Sequence, residues 1–255
     1  MILVEHVIES DVKEFVDRLP SLTLRPPTVH LIMSAVRSKK AKELMNIKIH
    51  DLVIERKVIR PIAFWRERYF NSVLNLAELQ FDGVYDLQEN KRIPSKAIGL
   101  FATISPRNVN FAVQELIKDD VGFFYNGDDA SMMQLSKQTS LWFGRLHRHR
   151  AKGTHFVTLD IDSLDTKRYM RVCDFVSSIA VWMITETSGG YHIILNLSNE
   201  SDARAFYGEN GILQQLRQKE DPDIVEIQRD SQEPIAGTFY HRLNSDEPFF
   251  VRILR

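Results

Sequence analysis

The sequence predicts a mixed α+β protein, and three observations support that fold class. Residues 154–162 alternate apolar and polar side chains, which is typical of a β-strand with one buried face. Residues 181–184 and 192–197 are two further strand-like runs, and the short glycine-containing segment between them is typical of a hairpin. Amphipathic helical patterns fill much of the remaining chain. With 255 residues, the chain is long enough for one large α/β domain or two closely packed lobes.

The first third of the chain is predicted to be mainly helical. Ser10 is a suitable N-cap residue, acidic residues follow it, and Pro20 ends the helix that begins there. Residues 28–46 and 54–79 carry long amphipathic patterns interrupted by charges. These patterns indicate two further helices that pack on a core.

A polar, turn-rich segment over residues 81–96 marks a predicted boundary between two regions. Residues 1–96 form the mainly helical N-terminal region, and residues 97–255 form the second region. The second region begins with a strand over residues 97–104 and a helix whose start is set by the Ser-Pro pair that follows. Its remaining predicted elements are helices at 131–147, 166–180 and between 200 and 219, and strands at 154–162, 181–184, 192–197, 224–227 and 249–254, with a loop at 233–242 before the last strand.

Composition limits the classes of function and the location of the protein. The formal net charge is −1 at pH 7, so any contact with nucleic acid must come from a local basic patch. Cys173 is the only cysteine, which excludes an intrachain disulfide and a cysteine-based zinc site and favours a cytoplasmic location. No apolar run is long enough to span a bilayer, and residues 1–5 lack the features of a signal peptide, so no membrane partner is expected.

Asp160 and Asp162 form the first candidate site. They alternate on the predicted strand with Leu159 and Ile161, so the two carboxylates point to one face while the two apolar side chains face the core. Two neighbouring carboxylates repel each other unless one is protonated or a cation is bound, and hard divalent cations such as Mg²⁺ prefer carboxylate oxygens. The pair therefore indicates a metal site. The alternative is that both acids belong only to the turn that ends the strand.

The predicted hairpin carries the second candidate site. Gly189 and Gly190 allow the backbone to approach a ligand closely, Ser188 offers a hydroxyl group, and His192 stands at the start of the return strand. These groups suit a bound phosphate. The alternative for His192 is an ordinary histidine at the end of a strand.

A basic run follows the helix predicted at residues 131–147 and precedes the acidic strand. Its candidate contacts with nucleic acid are Arg145, Arg148, Arg150 and Lys152. Its position next to the acidic strand favours a surface that holds a polynucleotide or a triphosphate near the metal site. The alternative is a solvated helix end, where cations are favourable in any case.

The order of these motifs resembles the archaeo-eukaryotic primase superfamily, and within it the plasmid and phage replication primases. Asp160 and Asp162 match the first motif of that family, which is Asp-x-Asp or Asp-x-Glu after hydrophobic residues. Ser188 and His192 match a glycine-expanded form of its second motif, Ser-x-His. The resemblance covers roughly residue 154 to the C-terminus, and the helical first region has no counterpart in it.

The third motif of the family is an acidic residue near a late strand, and this chain offers several. They are Asp221, Asp223, Glu226 and Asp230. Asp221 is favoured, because it precedes a proline and, further on, the Gly-Thr-Phe-Tyr-His segment of residues 237–241, which is similar to the plasmid-type pattern.

The resemblance implies a catalytic core with an antiparallel sheet like that of RNA-recognition domains. It also implies a template-directed nucleotidyltransferase, as in a DNA primase or primase-polymerase. Such a reaction uses two divalent ions, Mg²⁺ or Mn²⁺, which the resemblance assigns to Asp160, Asp162 and Asp221. It assigns the phosphates of the nucleotide to Ser188, Gly189, Gly190 and His192. The implied partners are a single-stranded DNA template, NTP or dNTP, and a helicase or other replication proteins.

Two other functions fit parts of the sequence. One is a non-catalytic nucleic-acid-binding replication protein that keeps the primase fold with a degraded site, and the intact acids and His192 argue against it. The other is a rolling-circle replication endonuclease, whose His-x-His metal pair would be His147 and His149, together with a tyrosine nucleophile. These two histidines lie in a basic helix-end run rather than in a strand that would aim both rings inward.

Overall fold

A computed structural model of the chain describes residues 7–37, 41–42, 44, 53–82, 84–86, 91–126, 138–220, 224–229, 232–239 and 249–255. Within these residues, α-helices and antiparallel β-sheets make up the fold, which confirms the predicted mixed α+β class. No helix among them is both long and apolar enough to cross a membrane.

The helices and strands are numbered here in chain order. The described elements are α1 (Glu9–Arg18), β1 (Thr28–Val36), β2 (Val53–Ile59), α2 (Trp65–Asp82), β3 (Val84–Asp86), β4 (Lys91–Ile93), β5 (Ile98–Thr103), β6 (Arg107–Asn108), α3 (Val109–Asn126), α4 (Gln138–Arg148), β7 (Phe156–Ile161), α5 (Thr166–Phe175), β8 (Val181–Glu186), β9 (Tyr191–Asn196), α6 (Glu200–Tyr207), α7 (Ile212–Lys219), β10 (Val225–Arg229), β11 (Gln232–Pro234) and β12 (Arg252–Ile253).

The first sheet is built around β1. β2 and β5 pair with β1 on its two sides, β11 pairs with the far side of β5, and the short β6 pairs with the start of β1. All of these pairs are antiparallel. Because β11 comes from the last part of the chain, the first sheet brings residues near the C-terminus back to the N-terminal strands.

The second sheet has the strand order β10-β7-β9-β8-β12, and all of its pairs are antiparallel. Helix α5 connects β7 to β8, a tight turn connects β8 to β9, and α6 and α7 precede β10. The segment from β7 to β10 is therefore a β-α-β-β-α-β unit in which β9 lies between the parallel strands β7 and β8, an arrangement called a split β-α-β unit.

Both faces of the second sheet are covered by apolar side chains over much of their area. Leu159 and Ile161 are fully buried against α5, α6 and α7, as the alternating pattern of this strand predicts. On the other face, Phe156, Met183 and Ile194 pack with α1 and the first sheet. The polar side chains of the same face are thereby confined to one end of the interface between the two sheets.

Two helix predictions in the first third of the chain are wrong over part of their length. Residues 28–36 form β1, and residues 53–59 form β2. Every residue of β1 except Ala35 is buried. A strand that is buried on both faces lacks the alternation of apolar and polar residues, so its apolar positions can also be read as a helical pattern. The later part of the second predicted helix is confirmed as α2.

The boundary predicted between residues 96 and 97 runs through the first sheet. β1 and β2 precede this boundary, whereas β5 and β11 follow it, and the four strands pair side by side. The hydrogen-bonded sheet therefore joins the two regions that the sequence separates, because strand pairing depends on partners that are far apart along the chain.

Most other predicted elements of the second region are confirmed. The strand before residue 104 is β5, the hairpin is β8–β9, and the helices after the acidic strand are α5, α6 and α7. The helix predicted at 131–147 is described from Gln138 onward as α4, and its earlier residues lie outside the described residues. The loop predicted from Glu233 starts instead inside β11, and the last predicted strand is shortened to β12.

Candidate functional site

A row of polar side chains crosses the face of the second sheet that is turned toward the first sheet. The register of the strands places Glu226 opposite Asp160, Asp160 opposite His192, and His192 opposite Thr185. Residues directly opposite each other in an antiparallel pair project from the same face. The acidic strand and the hairpin therefore contribute their polar side chains to one site, which we call the polar row.

His192 is held between two carboxylates. Its Nε2 lies 3.3 Å from Oδ1 of Asp160, and its Nδ1 lies 2.7 Å from Oε2 of Glu233. The second oxygen of Glu233 accepts a hydrogen bond from the hydroxyl of Thr158 at 2.5 Å. Since Glu233 belongs to β11 and His192 to β9, this contact links the first sheet to the second.

The pKa of His192 is strongly raised. Burial alone would lower it, but the hydrogen bonds to Asp160 and Glu233 and the negative charges of both outweigh burial and raise the pKa to about 10. His192 is therefore an imidazolium ion at neutral pH, and each ring N–H faces a carboxylate. Only 12 % of its side chain is exposed, so this positive charge is largely shielded from solvent.

Glu233 is the site residue that sequence reasoning missed. The sequence prediction places it in a loop, whereas it lies in β11 with only 2 % of its side chain exposed. A sequence signal does exist, because the apolar residues Ile235 and Ala236 follow after Pro234 and indicate a buried segment. A carboxylate next to such a segment needs an internal partner, but the sequence does not say which.

Asp160 is fixed from both sides. Besides the contact with His192, its Oδ2 accepts a hydrogen bond of 3.1 Å from Nε2 of Gln228, which also donates to Glu226 at 3.3 Å. Asp162, by contrast, is exposed and lies just after the end of β7, where its backbone N–H donates to the carbonyl of Ile224 at 2.8 Å. The two acids thus differ in exposure: Asp160 is partly buried between its partners, and Asp162 is exposed.

The hairpin turn of residues 187–190 lies directly against the end of β7. The backbone N–H of Thr187 donates to the carbonyl of Gly190 at 2.8 Å, which closes the turn. A Cβ atom placed on Gly190 would lie 1.8 Å from the carbonyl oxygen of Ile161, and one placed on Gly189 would lie 3.7 Å from Oδ1 of Asp162. The structure therefore brings together the predicted site residues Asp160, Asp162, Ser188, Gly189, Gly190 and His192.

Gly190→Ala is expected to destabilise the protein by about 3 kcal/mol or more, because the added methyl group would overlap the backbone of β7, which cannot rotate away. Urea unfolding of the variant measures this loss. Gly144→Ala on α4 is the matched control, since its added Cβ meets no atom within 4 Å and alanine favours a helix by up to about 1 kcal/mol. Equal stability of the two variants would contradict the close approach of the turn to β7.

The third acid that the sequence favours is not among the described residues, whereas another candidate is. Asp221, which the sequence favours, lies outside the described residues, as do Asp223 and Asp230. Glu226 is described, and it lies on β10 directly opposite Asp160. Of the four acids considered, Glu226 is therefore the one for which the structure shows a position beside the acidic strand.

The carboxylates at this edge fit a divalent cation by their chemistry. Among the residues that the structure describes, no three His, Cys, Asp or Glu side chains are already assembled to hold a metal ion. Mg²⁺ in sites that act on nucleotides is commonly bound by one or two carboxylates together with substrate phosphates, rather than by a complete protein cage. Asp160, Asp162 and Glu226 supply oxygen ligands of the required kind.

The basic run divides into two groups. Arg145 and Arg148, on α4, pair with acids of α3: Arg145 contacts Asp119, and Arg148 lies 3.1 Å from Glu115. Arg150 lies beyond the end of α4, and so does the exposed Lys152. Arg150 and Lys152 line a surface pocket of about 370 Å³. Arg145 and Arg148 thus contact a neighbouring helix. Arg150, whose Nη1 lies 2.6 Å from Nδ1 of His155, and Lys152 are the candidate contacts with nucleic acid.

The two histidines of the His-x-His motif have different neighbours. Nε2 of His149 lies 2.5 Å from Glu115 on α3, whereas Nδ1 of His147 lies 3.4 Å from Nε2 of Gln232 on β11. The rings are thus directed to separate elements rather than to a common ligand.

No family model, no curated protein and no solved structure matches this chain. The functional assignment therefore depends on the geometry and chemistry of the site. The residues that bear on it are those of the polar row, those of the hairpin turn, and Arg150 and Lys152 after α4.

Proposed function

We propose that this protein is a template-directed nucleotidyltransferase, a primase or primase-polymerase that acts in DNA replication. The observation that carries the proposal is the polar row, in which Asp160 of the Asp-x-Asp strand lies directly beside His192 of the Ser-Gly-Gly-Tyr-His hairpin. These are the first two motifs by which the sequence resembles the archaeo-eukaryotic primases. Their contact across neighbouring strands is what a shared active site requires.

The topology of the second sheet supports the same proposal. A β-α-β-β-α-β unit with all its strand pairs antiparallel is the connection found in ferredoxin-like folds, and RNA-recognition domains are built on a four-stranded sheet of this kind. A fold alone does not define a function. The acids and the hairpin turn are the chemical features that support this function.

The carboxylates of Asp160, Asp162 and Glu226 would hold Mg²⁺ or Mn²⁺. When bound, two such ions would activate the attacking 3′-hydroxyl group and neutralise the charge of the leaving pyrophosphate. The hydroxyl of Ser188 and the backbone of Gly189 and Gly190 would bind the phosphates of the incoming NTP or dNTP beside these acids.

His192 has two roles in this proposal. Its hydrogen bonds to Asp160 and Glu233 orient the first of the metal-binding carboxylates. Its positive charge offsets part of the negative charge of Asp160 and Glu233, which would otherwise repel the phosphates of the nucleotide. A neutral side chain of similar size would not offset that charge.

Strand synthesis on single-stranded DNA tests the proposed function. The full-length chain is incubated with labelled NTPs or dNTPs and Mg²⁺ or Mn²⁺, with and without an annealed primer, and the products are separated by length. We expect template-dependent products, whose sugar identifies the preferred nucleotide. A lack of product under all these conditions would contradict the nucleotidyltransferase assignment.

A non-catalytic nucleic-acid-binding replication protein is the second candidate. One observation favours it: both carboxylate oxygens of Asp160 already have protein partners, His192 and Gln228. In that case the chain would bind single-stranded DNA and form no product. The synthesis assay, combined with a binding measurement, therefore separates the two candidates.

Replacing Arg150 and Lys152 together by glutamine is expected to weaken binding to single-stranded DNA. Each phosphate that is no longer neutralised should reduce the slope of log affinity against log salt by about 0.7, so the pair should reduce it by about 1.4. Binding is measured by fluorescence anisotropy at several salt concentrations. Arg204→Gln, on the exposed surface of α6, is the control and should leave the slope unchanged. A slope that stays the same in the double variant would show that these side chains are merely solvated.

A further inference from the structure

Arg37 reaches from the first sheet to the hairpin turn of the second. It directly follows β1, and its backbone N–H donates to the carbonyl of Ala97 at 2.7 Å, which fixes the start of the side chain. Its Nη2 lies 3.5 Å from Oγ of Ser188, which is itself buried at 6 % exposure. This distance is longer than that of a strong hydrogen bond, and it places the guanidinium beside the hydroxyl at the hairpin turn.

The backbone of the same turn offers donors. Among the described residues, no carbonyl and no side chain accepts the N–H of Ser188, Gly189 or Gly190, although Ser188 and Gly190 are buried. Buried N–H groups generally need an acceptor. Consecutive backbone N–H groups in a turn form a concave site for an anion, and here an arginine lies beside them.

The turn is flanked by charges of opposite sign. The guanidinium of Arg37 lies at the Ser188 side, and the carboxylate of Asp162 lies at the Gly189 side. A simple anion bound close to Asp162 would be repelled by it. A polyphosphate is different, because its outer phosphates can contact the arginine while its inner phosphate shares a cation with the carboxylate. The arrangement therefore suits a chain of phosphates better than a single one.

We propose that Arg37 binds the terminal phosphates of the incoming nucleoside triphosphate over the turn of Ser188, Gly189 and Gly190. This inference rests on the proposed nucleotidyltransferase function and adds a binding residue from the first sheet to it. An arginine presents a rigid planar fork that matches two phosphate oxygens at once, a geometry that a lysine lacks. The same contact would stabilise the negative charge that develops on the leaving pyrophosphate.

Calorimetric titration of the full-length chain with inorganic tripolyphosphate in the presence of Mg²⁺ tests this role without any need for activity. Arg37→Gln removes the charge and keeps a similar length, and it should weaken binding about ten- to a hundredfold. Arg37→Lys keeps the charge without the fork and should lose less. Arg204→Gln is the matched control, because it removes an arginine that pairs with Glu200 on the surface of α6. The tripolyphosphate affinity of this variant should equal that of the wild type.

Each outcome of the titration decides the proposal. Equal tripolyphosphate affinity of the wild type, Arg37→Gln and Arg37→Lys overturns it, and so does a wild type that binds no tripolyphosphate. Circular dichroism melting shows whether Arg37→Gln is folded. If it is not, Arg37→Lys decides, and an affinity equal to that of the wild type then overturns the proposal.

Failure of this inference is distinguishable from failure of the proposed function. Template-dependent synthesis by the wild type, together with unchanged tripolyphosphate binding in Arg37→Gln, would remove Arg37 from the site and leave the nucleotidyltransferase in place. Tripolyphosphate binding that depends on Arg37, without any strand synthesis, would keep the phosphate site and remove the polymerase activity.

Discussion

Asp160→Asn and Asp162→Asn are each expected to reduce nucleotide incorporation by about a hundred- to a thousandfold. Each change removes one negative ligand of the proposed cations, and loss of even one group that stabilises a developing charge costs about 10²–10³ in kcat. Incorporation is measured by extension of a labelled primer on single-stranded DNA. Asp17→Asn, an exposed residue on α1, is the matched control and should retain full activity.

The two variants should differ in stability even though both lose activity. Asp160 accepts hydrogen bonds from the His192 imidazolium and from Gln228, so losing its charge weakens a charge-assisted contact and should lower the free energy of unfolding by about 1–2 kcal/mol. Asp162 is exposed, and its change should leave stability within about 0.5 kcal/mol of the wild type. Full activity in either variant would contradict the assignment of these acids to catalysis.

His192→Ala is expected to lower the free energy of unfolding by about 3–5 kcal/mol, because it leaves the buried carboxylate of Glu233 without its cation. Glu233→Ala is expected to cost less, because the imidazolium of His192 keeps Asp160 as a charged partner. The double variant should lose much less than the sum of the single losses, because it leaves neither group of this pair behind. Urea unfolding of the three variants and the wild type measures the coupling. A coupling below about 0.5 kcal/mol would show that the contact between the two sheets contributes little.

The contribution of His192 should depend on pH in a defined direction. Because its pKa is raised from 6.5 to about 10 in the folded protein, its stabilising effect is fully present below about pH 6.5 and is lost as the pH rises toward about 10. The advantage of the wild type over His192→Ala should shrink over that range. His149→Ala is the control, because the side chain of its partner Glu115 is 32 % exposed and their contact is partly solvated, so this change should cost no more than about 1 kcal/mol.

Catalytic efficiency gives a second measurement of the role of His192. If the positive charge of His192 offsets the carboxylates that would repel the phosphates, His192→Ala should lower catalytic efficiency about ten- to a hundredfold in addition to its effect on stability. The loss is measured at a temperature where the variant is fully folded. Unchanged efficiency there would leave His192 with a purely structural role.

The acidic strand, the hairpin and most helices of the second region are predictable from the sequence because they follow local periodicity. Asp160 and Asp162 alternate with Leu159 and Ile161, and the structure places both apolar residues in the core. The glycines of the hairpin likewise identify a turn where backbone segments approach closely, and Gly190 lies against β7. Such patterns depend on residues only a few positions apart.

The first sheet is where local reasoning is insufficient. β1 is buried on both faces, so its composition shows no alternation, and its pairing with β2 and β5 decides that it is a strand. The basic run is a related case. Which of its cations pair with acids depends on the position of α3, whose Asp119 and Glu115 lie against Arg145 and Arg148.

Local patterns in the sequence are sufficient for the fold class, the acidic strand and the glycine-containing turn. The contacts that join these elements follow from tertiary packing: Glu233 from β11 lies beside His192, Glu226 from β10 lies opposite Asp160, and Arg37 after β1 lies beside Ser188. The sequence offers Glu226 only as one of four acids. The physical reason is that these neighbours are separated from their partners by tens of residues or more. Their contacts arise from strand pairing and from the packing of one sheet on the other, and neither leaves a periodic trace in the local sequence.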